Sequence, residues 1–291
     1  VESQGRTGTC WSFSALSFLE SEIMRVNKTD KPVVLSEMFI VRKAYEAKAK
    51  KFIRMDGRTN FGEGGAFHDI PYVIKNFGIV PQNVYTGLQK KSDSYNHGDM
   101  FKDLNRIVGE ARSQGKGIQQ SWVDEYNATL DENIGELPET FKYKGEKYTA
   151  ITFYNSLGID MNDYVSITSF TNHPMYEKCM LQIPDNWLWE ESYNVSVDEM
   201  YAATLSALKS GYTVAWGADV SEEGFSFSNG LAVVPLEKDK VIVEGEDNSN
   251  FSDAGADKKA TIFTQPDSEL VVTQEMRQKG YDEKETTDDH G

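Results

Sequence analysis

The stretch from Gln4 to Ser14 reads Gln-Gly-Arg-Thr-Gly-Thr-Cys-Trp-Ser-Phe-Ser, and it joins a polar, glycine-punctuated loop to an apolar pattern. Apolar residues then recur at helical spacings of three, three and four, at Phe13, Leu16, Leu19 and Ile23. Thr9 suits the N-cap position, which places Cys10 in the first turn of the predicted helix. The two glycines allow the backbone to turn tightly just before that helix.

Cys10 is suited to nucleophilic chemistry at this position. The positive end of a helix dipole favours a thiolate, and a thiolate attacks a carbonyl when a histidine reaches it from elsewhere in the fold. A phosphatase-type loop needs an arginine a few residues after the cysteine, and a thioredoxin-type site needs a second cysteine where this chain has Phe13. Acyl chemistry is left, and the plain alternative is that Cys10 only packs beneath Trp11.

The charge balance excludes two classes of partner. The 291 residues include 46 acidic and 30 basic side chains, for a formal net charge of −16. Nucleic acids and anionic membranes require clustered Lys and Arg, so we expect neither as a partner. The sequence has no run of about 18 apolar residues. Two cysteines and four histidines fit neither a disulfide framework nor a zinc pattern. We expect no metal and no cofactor, and we interpret Cys179 as a small buried hydrophobe.

The residues from Gln4 to Ser14 resemble the signature of the papain-like cysteine peptidases. The resemblance implies that Cys10 is the catalytic nucleophile and that Gln4, six residues before it, supplies the side chain of the oxyanion hole. It also implies a substrate-binding role for Trp11. The sequence departs from the family at Thr9, where serine or alanine is commoner.

Two further segments are similar to this family. The segment Leu35–Val41 resembles its second helix start, with Ser36 at the cap position. The segment Phe61–Phe67 contains the Gly64-Gly65 pair, which in papain-like enzymes lines the substrate cleft and offers bare backbone to an extended peptide. A helix and a Gly-Ile-Val-Pro turn at residues 78–81 should follow. The alternative is that the two glycines only form a turn.

The resemblance assigns the general base to His290, within an Asp-His-Gly step at the end of the sequence. An imidazole with an ordinary pKa of about 6.5 takes the thiol proton and later delivers it to the leaving amine. Asp289 would help to hold this imidazole in its cationic form. The alternative is a solvated histidine in an acidic tail. The remaining histidines are interpreted as structural or solvated: His68, His97 and His173.

The predicted fold class is α+β, a two-domain papain-like architecture with a large insertion. Cys10 and His290 are 280 positions apart, against roughly 130–150 in the simple papain arrangement. The expected organisation is a helical left domain with the nucleophile at 1–86, an insertion at 87–194, and an incomplete barrel-like right domain at 195–291.

The insertion resembles one branch of the family. It opens on a helical pattern at Phe101, Leu104, Ile107, Val108 and Ala111. Its segment Asp163–Ile167 is similar to an Asp-Tyr-Val-Ser phrase of the bleomycin hydrolase and aminopeptidase C branch, which has an insertion here. The alternative is a surface excursion without a catalytic role.

The right domain should open with a helix and a strand. Ser196 suits the cap of a helix with apolar positions Met200, Tyr201, Leu205 and Leu208, which ends near Gly211. A strand is predicted at 212–220, a short one at 241–243, and a short helix or turn before His290.

Resemblance to this branch implies a peptidase that cuts short peptides from the amino end, resides in the cytoplasm and assembles from several copies. Endopeptidase activity stays open, and so does a compartment outside the cell if a leader has been removed. Two other functions are alternatives. One is a transglutaminase-like acyltransferase, and the other is a degenerate papain fold that only binds peptides.

Papain-like sites also use an Asn-Ser-Trp-Gly segment whose asparagine orients the histidine, and this sequence has none. We therefore expect these 291 residues to be part of a longer protein. Expressed alone, they should show negligible peptidase activity in a peptide-hydrolysis assay, because the support of His290 is incomplete. Full turnover by the isolated segment would contradict this expectation.

Overall fold

The computed structural model describes residues 2–88, 92–218, 225–226, 231–232, 243–244, 259–260 and 272–283. The helices are α1 (Cys10–Asn27), α2 (Glu37–Arg54), α3 (Asp69–Phe77), α4 (Gly98–Ser113), α5 (Gln120–Ile134), α6 (Ala150–Ser156), α7 (Val197–Lys209) and α8 (Gln274–Asp282). The strands are β1 (Phe141–Tyr143), β2 (Glu146–Tyr148), β3 (Ile167–Thr168), β4 (Lys178–Met180), β5 (Glu191–Asn194), β6 (Phe225–Ser226), β7 (Leu231–Ala232), β8 (Val243–Glu244) and β9 (Lys259–Ala260). This mixture confirms the α+β class. Within the described ranges, no helix is both long and apolar enough to cross a bilayer.

The helix predicted around the first cysteine is α1, and it begins at Cys10. Its apolar face lies in the core because the three- and four-residue spacings place these side chains on one side: Trp11, Leu16, Leu19 and Ile23. Thr9 occupies the cap position, but its side chain makes no capping hydrogen bond. The predicted N-cap position is therefore confirmed, although the Thr9 side chain does not supply a capping hydrogen bond. The buried Thr9 hydroxyl lies 2.5 Å from the Thr7 hydroxyl and hydrogen-bonds within the loop instead.

The second predicted helix start is confirmed at Ser36. Its hydroxyl oxygen accepts a hydrogen bond from the Phe39 N–H at 3.1 Å and donates to the Tyr85 carbonyl at 2.6 Å. The next residue, Glu37, is only 4% exposed. Its Oε2 atom makes no hydrogen bond to any described residue. Burial raises the pKa of Glu37 from 4.5 to about 7, although its own backbone N–H acts in the opposite direction.

One hydrophobic core extends from Trp11 in α1 to Met161. The α4–α5 hairpin packs against α2, where the Tyr45 and Phe101 rings are 5.3 Å apart and the Tyr126 hydroxyl donates to the Tyr45 carbonyl at 3.0 Å. The apolar pattern predicted for α4 is confirmed, since all five positions are buried: Phe101, Leu104, Ile107, Val108 and Ala111. The helices that surround Cys10 therefore share one core with residues beyond position 86 of the sequence.

A small mixed sheet follows, in the order β3-β5-β4, with β3 parallel and β4 antiparallel to β5. Cys179 lies on β4 opposite Ser192 and is buried, which confirms its interpretation as a small hydrophobe. Helix α8 contacts the same region, because its Tyr281 ring lies 4.3 Å from the Phe170 ring. Its Arg277 Nε atom donates to the Ser169 carbonyl at 2.7 Å.

Helix α7 begins as predicted, with a reciprocal capping box between Ser196 and Glu199. None of its residues is buried in the part of the chain that the structure describes. The strand predicted at 212–220 is wrong for 212–218, which form no strand, and 219–220 lie outside the described residues. A strand needs a neighbour to accept its hydrogen bonds, and none of the described strands pairs with this segment. Of the strand predicted at 241–243, only residue 243 is described, and it lies in β8.

We predict that Glu37→Gln stabilises the protein increasingly as the pH rises from about 4.5 to about 7. The raised pKa means that the folded state holds a proton that the unfolded state has released, so folding stability falls as the pH rises through this interval. Glutamine has no charge to bury. In urea unfolding, the gain in free energy of unfolding should be near zero at about pH 4 and should reach about 2 kcal/mol at about pH 8.

The control is Glu132→Gln, at an exposed position of α5. It should change the free energy of unfolding by less than about 0.5 kcal/mol at both pH values. Equal stability of Glu37→Gln and the wild type at the higher pH would contradict the burial argument.

Candidate active site

The loop before Cys10, residues Gln4–Thr9, is here called the cysteine loop, and it is fixed by a short parallel bridge. The Arg6 N–H donates to the Tyr95 carbonyl at 2.8 Å, and the His97 N–H donates to the Arg6 carbonyl at 3.2 Å. Gly5 has a φ of +59°, and a Cβ there would lie 2.5 Å from the Tyr95 oxygen. Only glycine fits at this position, because both the backbone conformation and the close approach exclude a side chain.

Gln4 lies at the start of the cysteine loop and is partly buried. Its Nε2 atom donates to the Thr7 carbonyl at 2.7 Å, and the Thr7 hydroxyl donates back to the Gln4 carbonyl at 2.9 Å. A side-chain amide carries two N–H hydrogens, so this contact uses one of the two. The loop therefore holds the Gln4 amide close to its own backbone.

Cys10 is the first residue of α1 and is partly exposed, whereas Cys179 is buried. Neither residue is in a disulfide. Burial raises the pKa of the Cys179 thiol, and the nearby Glu191 carboxylate adds to that rise. The two thiols thus occupy different environments, and only Cys10 lies at a helix N-terminus, where the dipole favours negative charge.

The segment Gly62–Gly65, here called the glycine segment, lies against the cysteine loop through Glu63. The Glu63 Oε2 atom accepts a hydrogen bond from the Gly8 N–H at 2.8 Å. The Glu63 carbonyl accepts one from the Trp11 indole N–H at 3.1 Å. Burial raises the pKa of Glu63, while the Gly8 N–H and Lys48 lower it. One residue therefore ties the glycine segment to both sides of Cys10.

Gly64 and Gly65 are required by close packing and not by an unusual backbone conformation. A Cβ on Gly64 would overlap the Asp185 carboxylate. A Cβ on Gly65 would lie 2.7 Å from Asp69 Oδ2 and 2.8 Å from the Trp11 ring. No described residue hydrogen-bonds to the Gly65 N–H or carbonyl. Gly65 is itself buried, whereas Gly64 is partly exposed. The glycine segment is thus pressed against side chains, with its partly exposed surface at residues 62–64.

Trp11 lies beneath the glycine segment and is fully buried, at 0% exposure. Sequence reasoning missed what lies beside it. Lys48, on α2, is 1% exposed and donates from its Nζ atom to the Gly64 carbonyl. The Trp187 indole N–H donates to Asp69 Oδ2 at 2.7 Å. Position 48 follows Ala44 and Tyr45 on the buried face of α2, so a lysine within that apolar stripe is the signal that could have revealed this cluster.

The charges of this cluster shift one another's titration. Burial lowers the pKa of Lys48, while Asp69, Asp185 and Glu63 act to raise it. Burial raises the pKa of Asp69 from 3.8 to about 7, while Lys48 and the Trp187 indole lower it. The Asp185 carboxylate accepts a hydrogen bond from Asn60 at 3.0 Å. Three carboxyl groups therefore surround one buried ammonium directly behind the glycine segment.

Two of the described histidines, His68 and His97, are poorly suited to act as the base. His97 is 2% exposed, with its Nδ1 atom 3.5 Å from the Tyr45 hydroxyl and 3.9 Å from Glu63 Oε2, and burial lowers its pKa to about 4. Burial also lowers the pKa of His68. An enclosed, neutral imidazole cannot exchange protons with a molecule at the surface. His290 and Asp289 lie outside the described residues.

We next looked at possible metal ligands within the described ranges. Those residues include no group of three or more His, Cys, Asp or Glu side chains that could hold an ion.

Two curated relatives show what the chain is similar to. Aminopeptidase C of Lactococcus lactis subsp. lactis (strain IL1403) is 25% identical over 259 residues, which cover 77% of this chain and 59% of the relative. Aminopeptidase G of Lactobacillus delbrueckii subsp. lactis is 24% identical over 259 residues, which cover 76% of this chain and 59% of the relative. The chain thus spans about three fifths of the length of these relatives.

A solved structure shares the fold. The crystal structure of PepW from Lactobacillus rhamnosis HN001 (DR20) matches with a TM-score of 0.62 at 20% identity, over 77% of this chain and 59% of PepW. The model of the Peptidase C1-like family matches residues 27–244, a range that contains the glycine segment and excludes Cys10 and His290. Because this match covers most of the sequence, the chain belongs to the peptidase C1-like family.

Proposed function

We propose that this chain carries the nucleophile and part of the substrate cleft of a cysteine peptidase that removes residues from the amino end of peptides. The observation that carries the proposal is the position of Cys10 at the first residue of α1, tied through Glu63 to a glycine segment that is partly exposed at Gly64. Family membership supports a peptidase, and the names of the relatives support an aminopeptidase.

The Cys10 thiolate attacks the carbonyl carbon of the scissile bond, and the carbonyl oxygen becomes an oxyanion. We assign its stabilisation to the backbone N–H of Cys10 and the Gln4 amide. The Gln4 Nε2 atom keeps one hydrogen on the Thr7 carbonyl and can direct the other at the oxyanion. The loop thereby orients this donor before substrate arrives.

The proton transfers are assigned to His290. It accepts the proton of the thiol and gives it to the leaving amine as the carbon–nitrogen bond breaks, which leaves an acyl group on the sulfur. A water molecule then attacks this thioester and gives its proton to His290, so the acid is released and the thiol is restored. Asp289 stabilises the imidazolium that forms each time His290 takes up a proton.

Substrate binding is assigned to Gly64 and Gly65. An extended peptide lies against the partly exposed backbone of Gly64, where no side chain obstructs it. The buried Gly65 lets the segment pack closely enough to hold Gly64 in place. Trp11 takes part from beneath, because its ring packs under Gly65.

The proposed organisation follows from these assignments. Residues 1–86 form the left domain with the nucleophile, residues 87–194 form an insertion, and residues 195–291 begin a barrel-like right domain that carries His290. The net charge of −16 favours an approaching cationic amino terminus, which suits an aminopeptidase.

Alkylation tests the nucleophile. In the full-length protein near pH 6, iodoacetamide should modify Cys10 at least about tenfold faster than the amino acid cysteine, because a larger fraction of this thiol is ionised. Mass spectrometry of the labelled peptides gives the rate, and the buried Cys179 is the internal control that should react more slowly. Cys10→Ala should abolish hydrolysis of an aminoacyl-coumarin amide.

A Cys10 that reacts no faster than cysteine in solution would contradict the thiolate argument and favour a domain that only binds peptides. Incorporation of a dansyl amine into protein glutamines without peptide cleavage would favour the acyltransferase alternative.

Substitution of two glycines, one at a time, tests the assigned substrate cleft. Gly65→Ala should lower kcat/KM by about ten- to a hundredfold and destabilise the fold by about 1–3 kcal/mol, because its Cβ displaces the segment from Asp69 and Trp11. Gly62→Ala is the matched control. Its Cβ would meet only the Asn60 side chain, at 3.5 Å, so both quantities should change little. Equal effects of the two substitutions would contradict the assignment.

A further inference from the structure

Lys48 is the least expected residue of the core. It lies on the buried face of α2 and is 1% exposed, whereas lysine is almost never fully buried unless its charge is paired. Replacing a buried ion pair with apolar side chains is often neutral or stabilising. Core packing alone would therefore be served as well by apolar side chains in place of Lys48 and its acidic neighbours, and the contacts of the ammonium group point to another role.

The ammonium group holds the glycine segment from behind. Its Nζ atom donates to the Gly64 carbonyl and, at 3.3 Å, to the Gly62 carbonyl. These two residues flank Glu63, which accepts hydrogen bonds from Gly8 and Trp11 on the other side. The Lys48 ammonium thus holds Gly62 and Gly64, and the residues around the start of α1 hold Glu63 between them.

Aromatic and acidic side chains fix the ammonium group in turn. It lies 5.6 Å from the centre of the Trp11 ring and 5.8 Å from the centre of the Trp187 ring, within cation–π range. Trp187 donates its indole N–H to Asp69, which supplies opposite charge. Side chains from α1, α2, α3 and the 185–187 turn therefore hold one donor in a single position.

We propose that Lys48 is a positioning residue for peptide binding, which holds Gly64 at the height that faces the substrate backbone. Gly64 is partly exposed, and its carbonyl is held from behind by the ammonium group. The inference rests on the proposed function in one respect, since it takes Gly64 as a substrate-pairing residue. Lys48 touches neither the thiol nor the substrate, so its removal should weaken binding and leave the chemistry of Cys10 intact.

The test compares Lys48→Met with wild type in the full-length protein. KM for a tripeptide amide should rise about tenfold, with kcat within about twofold, because an interaction formed equally in the ground and transition states is lost. The rate of Cys10 alkylation by iodoacetamide should stay within about twofold, because the cysteine loop has its own bridge to Tyr95. Lys48→Arg, which keeps a charged donor, should recover part of the loss. Lys50→Met, on the same helix, is the control and should leave KM unchanged.

Binding measurements separate this inference from the proposed function. In the Cys10→Ala background, the Kd of the same peptide should also rise about tenfold when Lys48→Met is added, whether or not the wild type hydrolyses it. A wild type that binds the peptide but does not cleave it would refute the proposed function alone. Unchanged KM and Kd in Lys48→Met would refute the role of Lys48 alone.

A purely structural role has its own signature. It predicts that Lys48→Met lowers the melting temperature. It also predicts that the rate of Cys10 alkylation falls by about the same factor by which KM rises. Lys48→Gln, whose amide can still donate to one carbonyl, is the second variant and should show an intermediate KM. If neither Lys48→Met nor Lys48→Gln folds, the residue is structural and the proposal is overturned.

Discussion

The pair of hydrogen bonds accepted by Glu63 is the constraint on which the arrangement around Cys10 depends. Its carboxylate holds the Gly8 N–H and its carbonyl holds the Trp11 indole, so one residue brackets the first turn of α1. Without this tie, the cysteine loop and the glycine segment would be two surface loops with no fixed separation. With it, Cys10 and the partly exposed Gly64 lie on connected elements, which is what a site that must align a carbonyl with a thiolate requires.

The charged cluster around Lys48, behind the glycine segment, costs electrostatic free energy because its groups are buried. A buried ammonium is surrounded by Asp69, Asp185 and Glu63, and burial moves the pKa of Asp69 to about 7. Uncompensated charges in an apolar core would be removed by protonation or by local opening. Here the two indole rings, the two carbonyl acceptors and the carboxylates compensate one another, so the cluster acts as one unit. Its energetic cost is the physical basis for inferring that it serves the cleft and not only the core.

The part of the chain after β5 differs from the rest. Helix α7 is correctly capped, yet it buries none of its residues among those described, and residues 212–218 form neither a helix nor a strand. Capping is decided within one turn of sequence, so Ser196 and Glu199 suffice to start the helix. Burial and strand pairing depend on other segments. This is why the apolar pattern of Met200, Tyr201, Leu205 and Leu208 predicted a helix correctly while the adjoining strand prediction was wrong.

Local signals in the sequence were enough to determine where α1, α2 and α7 begin, that α4 is a helix with a buried apolar face, and that Cys10 lies at a helix start whereas Cys179 does not. Each of these follows from residues a few positions apart. Only the tertiary structure decided that Lys48 is buried, that Gly64 and Gly65 must be bare, and that Glu63 ties the glycine segment to the cysteine loop. Those outcomes depend on contacts between distant residues, such as Gly8 with Glu63 at a separation of 55 residues and Asp69 with Trp187 at a separation of 118. A pattern within one helix shows that a lysine faces inward, but only the folded chain supplies the carbonyls and rings that make a buried charge stable.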